Sequence, residues 1–175
     1  MGTCEMPVIA DLAEHPDIQL ERLISIHGDG LLRYCHSILL DYYEAQDVVQ
    51  STFIKAYAKV SASNATITHG AWLYRTAYTN CIDILRRKKF QSLFFGTKEK
   101  EESAYTQEYF ISDNVNQILS KLSPKDRALV FSRAVEGFEF SELEPVYGAS
   151  AQTLRKRYER ARNKLAKLMH KEGLT

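Results

Sequence analysis

The chain has 175 residues, 45% hydrophobic and 26% charged, which suits one large domain or two small ones, each with its own core. A formal net charge of +1 excludes a uniformly basic protein. Three cysteines, Cys4, Cys35 and Cys81, with no C-x-x-C spacing argue against a disulfide scaffold or a zinc ribbon.

The charge is laid out in blocks. Residues 1–30 hold one Arg against six acids, residues 31–89 eight basic residues against four acidic, residues 90–149 six against ten, and residues 150–175 eight against two. Two basic blocks separated by an acidic one predict two surfaces that face polyanions. No signal-peptide pattern, spanning apolar run or myristoylation motif is present, so a cytoplasmic location is expected.

Residues 1–16, with Pro7 and Pro16, read as an N-terminal lead. A helical pattern follows from Asp17: Ile18, Leu20, Leu23, Ile24 and His27, then Gly28-Asp29-Gly30, then Leu31, Leu32, Cys35, Ile38 and Leu39. One bent helix and two helices both fit it. Over residues 44–60, Ala45, Val48, Val49, Thr52, Phe53, Ala56, Tyr57 and Val60 recur at helical spacing and predict one broad buried face. Asp47, Gln50, Ser51 and Ile54 form a second line, a candidate docking face. Residues 61–70 are small and polar and read as a loop, longer than a turn requires.

Residues 71–89 predict a third helix with Leu73, Ala77, Cys81, Ile84 and Leu85 buried and Trp72 in the core. Tyr74, Arg75, Tyr78, Thr79, Ile82 and Arg86 fall on its other faces. The basic residues 86–89 complement a helix C-terminus, and cations interleaved with aromatics suit single-stranded nucleic acid. Residues 90–113 lose amphipathic order and read as a flexible linker carrying the apolar patch Leu93-Phe94-Phe95. A second domain, 114–175, opens with a short helix up to Leu122. Ser123 then caps, and Pro124 starts, a helix that runs to Glu136. No β-rich segment occurs, so the expected fold is all-α, two small helical domains on either side of the linker.

Residues 141–169 predict a helix-turn-helix. Ser141-Glu142-Leu143-Glu144 has capping-box spacing, Gly148 stands where a left-handed residue ends a helix, and Ser150 caps the next. In the second helix Leu154, Tyr158, Ala161, Leu165 and Leu168 form a core stripe. Its opposite face carries Gln152, Arg155, Lys156, Glu159, Arg160 and Asn163. Such a helix enters the DNA major groove, where arginine pairs with guanine and lysine neutralises phosphate.

Together these blocks resemble the extracytoplasmic-function (ECF) group of bacterial RNA polymerase sigma factors. Residues 44–57, Glu-Ala-Gln-Asp-Val-Val-Gln-Ser-Thr-Phe-Ile-Lys-Ala-Tyr, resemble that group's polymerase-binding helix. Ala71-Trp-Leu-Tyr-Arg through Arg86-Arg-Lys-Lys89 resembles its promoter-melting and minus-10 helix. Leu119-Ser-Lys-Leu-Ser-Pro, Glu136-Gly-Phe and the run from Ala149 to Arg162 resemble its minus-35 domain.

The resemblance implies a region 2 over residues 17–89 and a region 4 over 114–175. It implies partners as well: core RNA polymerase, promoter DNA and an anti-sigma factor. Asp47, Gln50, Ser51 and Ile54 would contact polymerase. Asn64, Arg75, Tyr78, Thr79 and Arg86 would serve the minus-10 strand, with Asn64 on an unstacked base. Gln152, Arg155, Lys156, Glu159 and Arg160 would read the minus-35 duplex. Three departures stand out: Ser51 where Glu is usual, Thr79 where Asn is frequent, and Glu144-Pro145 where Ala-Glu is usual. A helix-turn-helix regulator acting without polymerase is the alternative, and it leaves residues 44–57 and 71–89 unassigned. The five histidines have no metal-ligand spacing and no phosphate-binding glycine loop occurs, so neither enzyme activity nor a metal or cofactor is expected.

Overall fold

The computed structural model describes residues 15–63, 70–95 and 113–171, together with Gly173. The described residues form helices α1 (Pro16–Leu39), α2 (Tyr42–Ser63), α3 (Ala71–Phe95), α4 (Asp113–Ser120), α5 (Pro124–Ala134), α6 (Phe140–Tyr147) and α7 (Ala151–Lys171), and no strand occurs among them. None of these helices is long and apolar enough to cross a membrane.

α1 is a single helix that runs through both glycines. Gly costs about 1 kcal/mol in a helix relative to Ala, and the packing explains its presence at position 30. A Cβ there would lie 2.7 Å from Glu136 Oε2 and 2.9 Å from Tyr74 Oη. The helix closes at Leu40, whose left-handed backbone (φ 57°) lets its N–H bond to the His36 carbonyl. Asp41 Oδ1 then accepts from the Glu44 N–H at 2.9 Å and caps α2.

Along α2 the expected face is buried at Ala45, Val48, Thr52, Phe53, Ala56 and Val60, and the Thr52 hydroxyl donates back to the Val48 carbonyl. Tyr57 departs from that face and is 38% exposed. α2 also continues to Ser63, so the first three residues of the expected loop are helical, and residues 64–69 lie outside the described residues.

α3 differs from expectation at both faces and at its end. Tyr74 is fully buried, while Trp72 is only half-buried, with the Lys59 ammonium 5.7 Å from its ring centroid. Ile84 and Leu85 are likewise only partly covered. The helix runs past Lys89 to Phe95, six residues into the stretch expected as linker.

The two halves of the chain share one hydrophobic cluster. α5 packs on α1 and α6 on α3, joining Leu31, Tyr34, Ile38, Leu73 and Tyr74 to Leu129, Leu143 and Leu154. Each such side chain contributes roughly 1.5–3 kcal/mol on burial. Aromatic rings meet across the junction, Tyr34 with Phe131 at 6.3 Å and Tyr74 with Phe138 at 4.9 Å, and Tyr34 and Tyr74 meet edge-on at 5.0 Å within the first half.

Polar groups are stitched through the same junction. Arg127, 6% exposed, donates to the carbonyls of Leu119 and Leu122 and, across the junction, to that of Ile38 at the end of α1. Tyr74 donates to Glu136 at 2.8 Å, and Arg33 lies 3.7 Å from the same carboxylate. The Tyr147 hydroxyl bonds both Ser132 (2.7 Å) and Tyr34 (3.0 Å). Burial first, and then its neighbours, push Tyr34 and Tyr74 well above the usual phenol range, so both stay neutral hydrogen-bonding groups.

Candidate nucleic-acid interface

Three surfaces gather the polar and charged residues singled out in the sequence. The first is an open groove of about 850 Å³ between α1 and α2. Asp47, Gln50, Ile54 and Tyr57 of α2 line one wall, and Leu20 and Ile24 of α1 line the other. Ile54 is 63% exposed and Ile24 45%, so the rim is apolar with carboxylates set into it. Ser51 is half-buried and is not part of the lining. The α1 wall had no signal in the sequence, where Ile24, like Ile18, stood only as one member of a helical pattern.

The second surface is the exposed side of α3. Arg75 is exposed and donates to the Pro145 carbonyl at 3.0 Å, and the half-buried Tyr78 ring meets Tyr147 edge-on at 4.9 Å, so α6 touches both. Thr79 is exposed and its hydroxyl returns to the Arg75 carbonyl at 2.9 Å. Arg86 is exposed beside Asp83 at 3.2 Å. Lys88 turns inward to Glu44 at 2.7 Å and ties α3 to α2, so the basic run 86–89 is not one solvated block. Asn64 lies outside the described residues.

A hollow of about 430 Å³ beside these residues is lined by Lys55, Trp72, Arg75, Thr76, Thr79 and Asn80. Lys55 donates to Asn80 Oδ1 at 2.9 Å, which leaves the buried Asn80 amide nitrogen without a partner. An aromatic wall, two cations, two hydroxyls and an unpaired amide donor can hold a planar base next to its phosphate. Lys55 and Asn80 carried no signal in the sequence, because they sit 25 residues apart on different helices.

The third surface is α7. Gln152, Arg155, Lys156, Glu159 and Arg160 are all exposed on it, as the core stripe of Leu154 and Ala161 requires. Leu165 and Leu168 are only partly covered, so that stripe fades toward the C-terminal end. Arg155 stacks over the Phe140 ring at 5.6 Å, and Arg133 stacks on the same ring at 5.3 Å. With Arg162 they frame a hollow of about 610 Å³ that Glu159 also lines, so Arg133 and Arg162 add two cations to this side of α7. Arg160 returns its Nε to the Lys156 carbonyl at 3.3 Å.

The helix-turn-helix has its expected turn but a different start. Gly148 is left-handed at φ 64°, and Ser150 Oγ accepts from the Thr153 N–H at 3.3 Å. The capping box lies two residues earlier than its sequence spacing indicated: the Glu142 carboxylate accepts from the Glu139 N–H at 2.7 Å, and Ser141 lies inside α6. Glu144 is thereby released to accept from the Ala151 N–H and cap α7 from outside. Arg157 bonds Asp126 at 2.8 Å and holds α7 on α5. Burial alone would raise the Asp126 pKa, but the Ser123 hydroxyl and Arg157 outweigh it and hold the carboxyl below its usual range.

Among the described residues no cluster of three or more potential ligands could hold a metal ion. The Cys35 thiol, hydrogen-bonded to Cys81 and buried, is pushed far above its ordinary pKa and is no nucleophile.

The family model for sigma-70 region 2 matches residues 23–91. The ECF RNA polymerase sigma factor SigW of Bacillus subtilis is 24% identical over 162 residues, covering 83% of this chain and 86% of that protein. The RNA polymerase sigma factor NccH of Alcaligenes xylosoxydans xylosoxydans is 25% identical over 158 residues, covering 85% of each. Among solved structures, the sigma factor RpoE in complex with the anti-sigma factor NepR from Bartonella quintana shares the fold with a TM-score of 0.73 at 21% identity, over 89% of this chain and 98% of that one. CnrH in complex with the cytosolic domain of CnrY follows with a TM-score of 0.64 at 24% identity, over 86% and 87%. The chain thus carries a sigma-70 region 2 over most of α1 to α3, and over both halves it is similar to ECF RNA polymerase sigma factors.

Proposed function

We propose that this protein is a transcription initiation factor that binds core RNA polymerase and directs it to promoters. The observation that carries the reading is the presence, in one chain, of a matched sigma-70 region 2 and a capped helix-turn-helix whose second helix exposes Gln152, Arg155, Lys156, Glu159 and Arg160. The α1–α2 groove with Asp47, Gln50 and Ile54 is the polymerase-docking face. Arg75, Tyr78, Thr79 and Arg86, with Asn64 and the hollow at Asn80, serve the opened minus-10 strand. α7 reads the minus-35 duplex, with Arg155 on a base edge and Arg160 on phosphate. Its work is binding rather than catalysis, and it takes place in the cytoplasm.

The packing of α6 on α3 gives this reading a regulatory side. Arg75 gives one guanidinium bond to Pro145 and Tyr78 packs its ring on Tyr147, so α6 competes with a DNA strand for part of this face. Sigma factors of the same fold have been crystallised with NepR and with CnrY, which supports an anti-sigma partner that stabilises this packing.

Run-off transcription with core polymerase tests the function. The chain should confer promoter-dependent transcripts, and Asp47→Ala with Gln50→Ala should weaken core binding without moving the thermal midpoint. A chain that binds DNA but never co-purifies with polymerase would instead be a stand-alone helix-turn-helix regulator.

A further inference from the structure

The end of α3 carries a surface that the reading above does not use. Phe90, Leu93 and Phe94 are 56%, 72% and 68% exposed, and the last two lie beyond the residues matched to region 2. Phe90 and Phe94, one helical turn apart, stack with ring centroids at 4.3 Å and planes at 31°. Single exposed apolar side chains are ordinary, but three within two turns form a patch that gains by being covered.

Its flanks and its alignment indicate what covers it. At 3.6 residues per turn, Arg75, Thr79, Arg86, Phe90 and Leu93 fall within about 60° of one line along α3. Arg87 and Lys89, both exposed, stand on either side of that line, while Lys88 is drawn away to Glu44. The patch therefore continues the face assigned to the minus-10 strand, with cations on both edges. From Arg86 to Phe94 is about 12 Å of helix, roughly three to four nucleotides at the ~3.4 Å stacked rise. A duplex keeps its base faces stacked inside, so a stacked aromatic pair has little to offer it. An unpaired strand presents both base faces and phosphates.

Resting on the proposed function, we propose that Phe90, Leu93 and Phe94, flanked by Arg87 and Lys89, form a stacking platform for single-stranded DNA that extends the promoter-strand site along α3. The platform is exposed while α6 touches Arg75 and Tyr78, so binding to it is testable without polymerase.

The test is fluorescence anisotropy of the full chain with a labelled 15-nucleotide oligo-dT at low salt. Phe90→Ala with Phe94→Ala should lower affinity at least tenfold, with an unchanged thermal midpoint. Phe90→Leu with Phe94→Leu, which keeps the patch apolar but removes the rings, should fall nearly as far. Phe90→Trp with Phe94→Trp should restore binding. Equal affinity of the parent and the alanine variant overturns the proposal. So does full binding by the leucine variant, or a loss confined to sedimentation with phosphatidylglycerol vesicles or to self-association. Run-off transcription on the same preparations separates the two readings. A parent that initiates transcription but shows no ring dependence leaves the proposed function standing and removes only the platform.

Discussion

At the residue scale, the half-buried His27 and the buried His36 set how the fold responds to acid. Burial lowers the pKa of His27 against the opposing pull of Glu136, and lowers that of His36 against Asp41. The unfolded chain therefore takes up protons as pH falls through about 6.5, while the folded chain does so only at lower pH. Stability is thus fully present above that window and declines as pH drops through it. The urea midpoint should fall between pH 7.5 and pH 5.5, and His27→Gln with His36→Gln should flatten that slope. An unchanged slope would mean that other groups govern the acid limb. His27 stood in the sequence as one more helical-pattern residue, and its contact with Gly70, where a Cβ would come within 2.7 Å of the ring, was invisible there.

Among the elements, α6 departs furthest from its sequence signal. The spacing of Ser141 and Glu144 was a plausible capping box, but Glu139 and Glu142 offer the same chemistry two residues earlier, and packing of Phe140 against Tyr158 selects that frame. Pro145 then falls at the sixth helical position, where it can give no bond to the Ser141 carbonyl. Pro145→Ala should raise stability by about 1–3 kcal/mol, since the carbonyl that holds Arg75 is kept. Thermal unfolding checks this, and a lower midpoint would show that the proline ring supports the turn. α2 was legible almost residue by residue, because one broad periodic face is a strong signal. The end of α3 was not, because a helix without a buried face loses amphipathic periodicity while its backbone continues.

For the whole molecule, the interior shared by the two halves was the least legible feature. Nothing in the sequence marked Arg127 or Tyr147, and Glu136 stood there only as a helix end and part of Glu136-Gly-Phe. Each has a bonding partner more than 60 residues away, which no local pattern reveals. Gly30 offers a way to loosen this junction without touching the groove or either basic face. A β-branched side chain there must push Glu136 and Tyr74 aside. Gly30→Val should enlarge the radius of gyration in small-angle scattering and raise apparent affinity for core polymerase severalfold. A chain that expands without binding better would separate compactness from docking.

The bond between Arg75 and the Pro145 carbonyl joins two segments of a single chain, so mass action treats it as a tethered reaction. Chain connectivity alone keeps α6 near α3 at an effective concentration on the order of millimolar. Dilution of the protein cannot release it, and a DNA strand that takes up Arg75, as proposed, would compete with a permanently local rival. Each tenfold preference for the joined form lowers the apparent affinity of such a strand tenfold, about 1.4 kcal/mol. A polymerase that engages both halves at a separation the tether can reach cancels that handicap in one step. On this arithmetic, promoter contact follows assembly with the enzyme rather than preceding it.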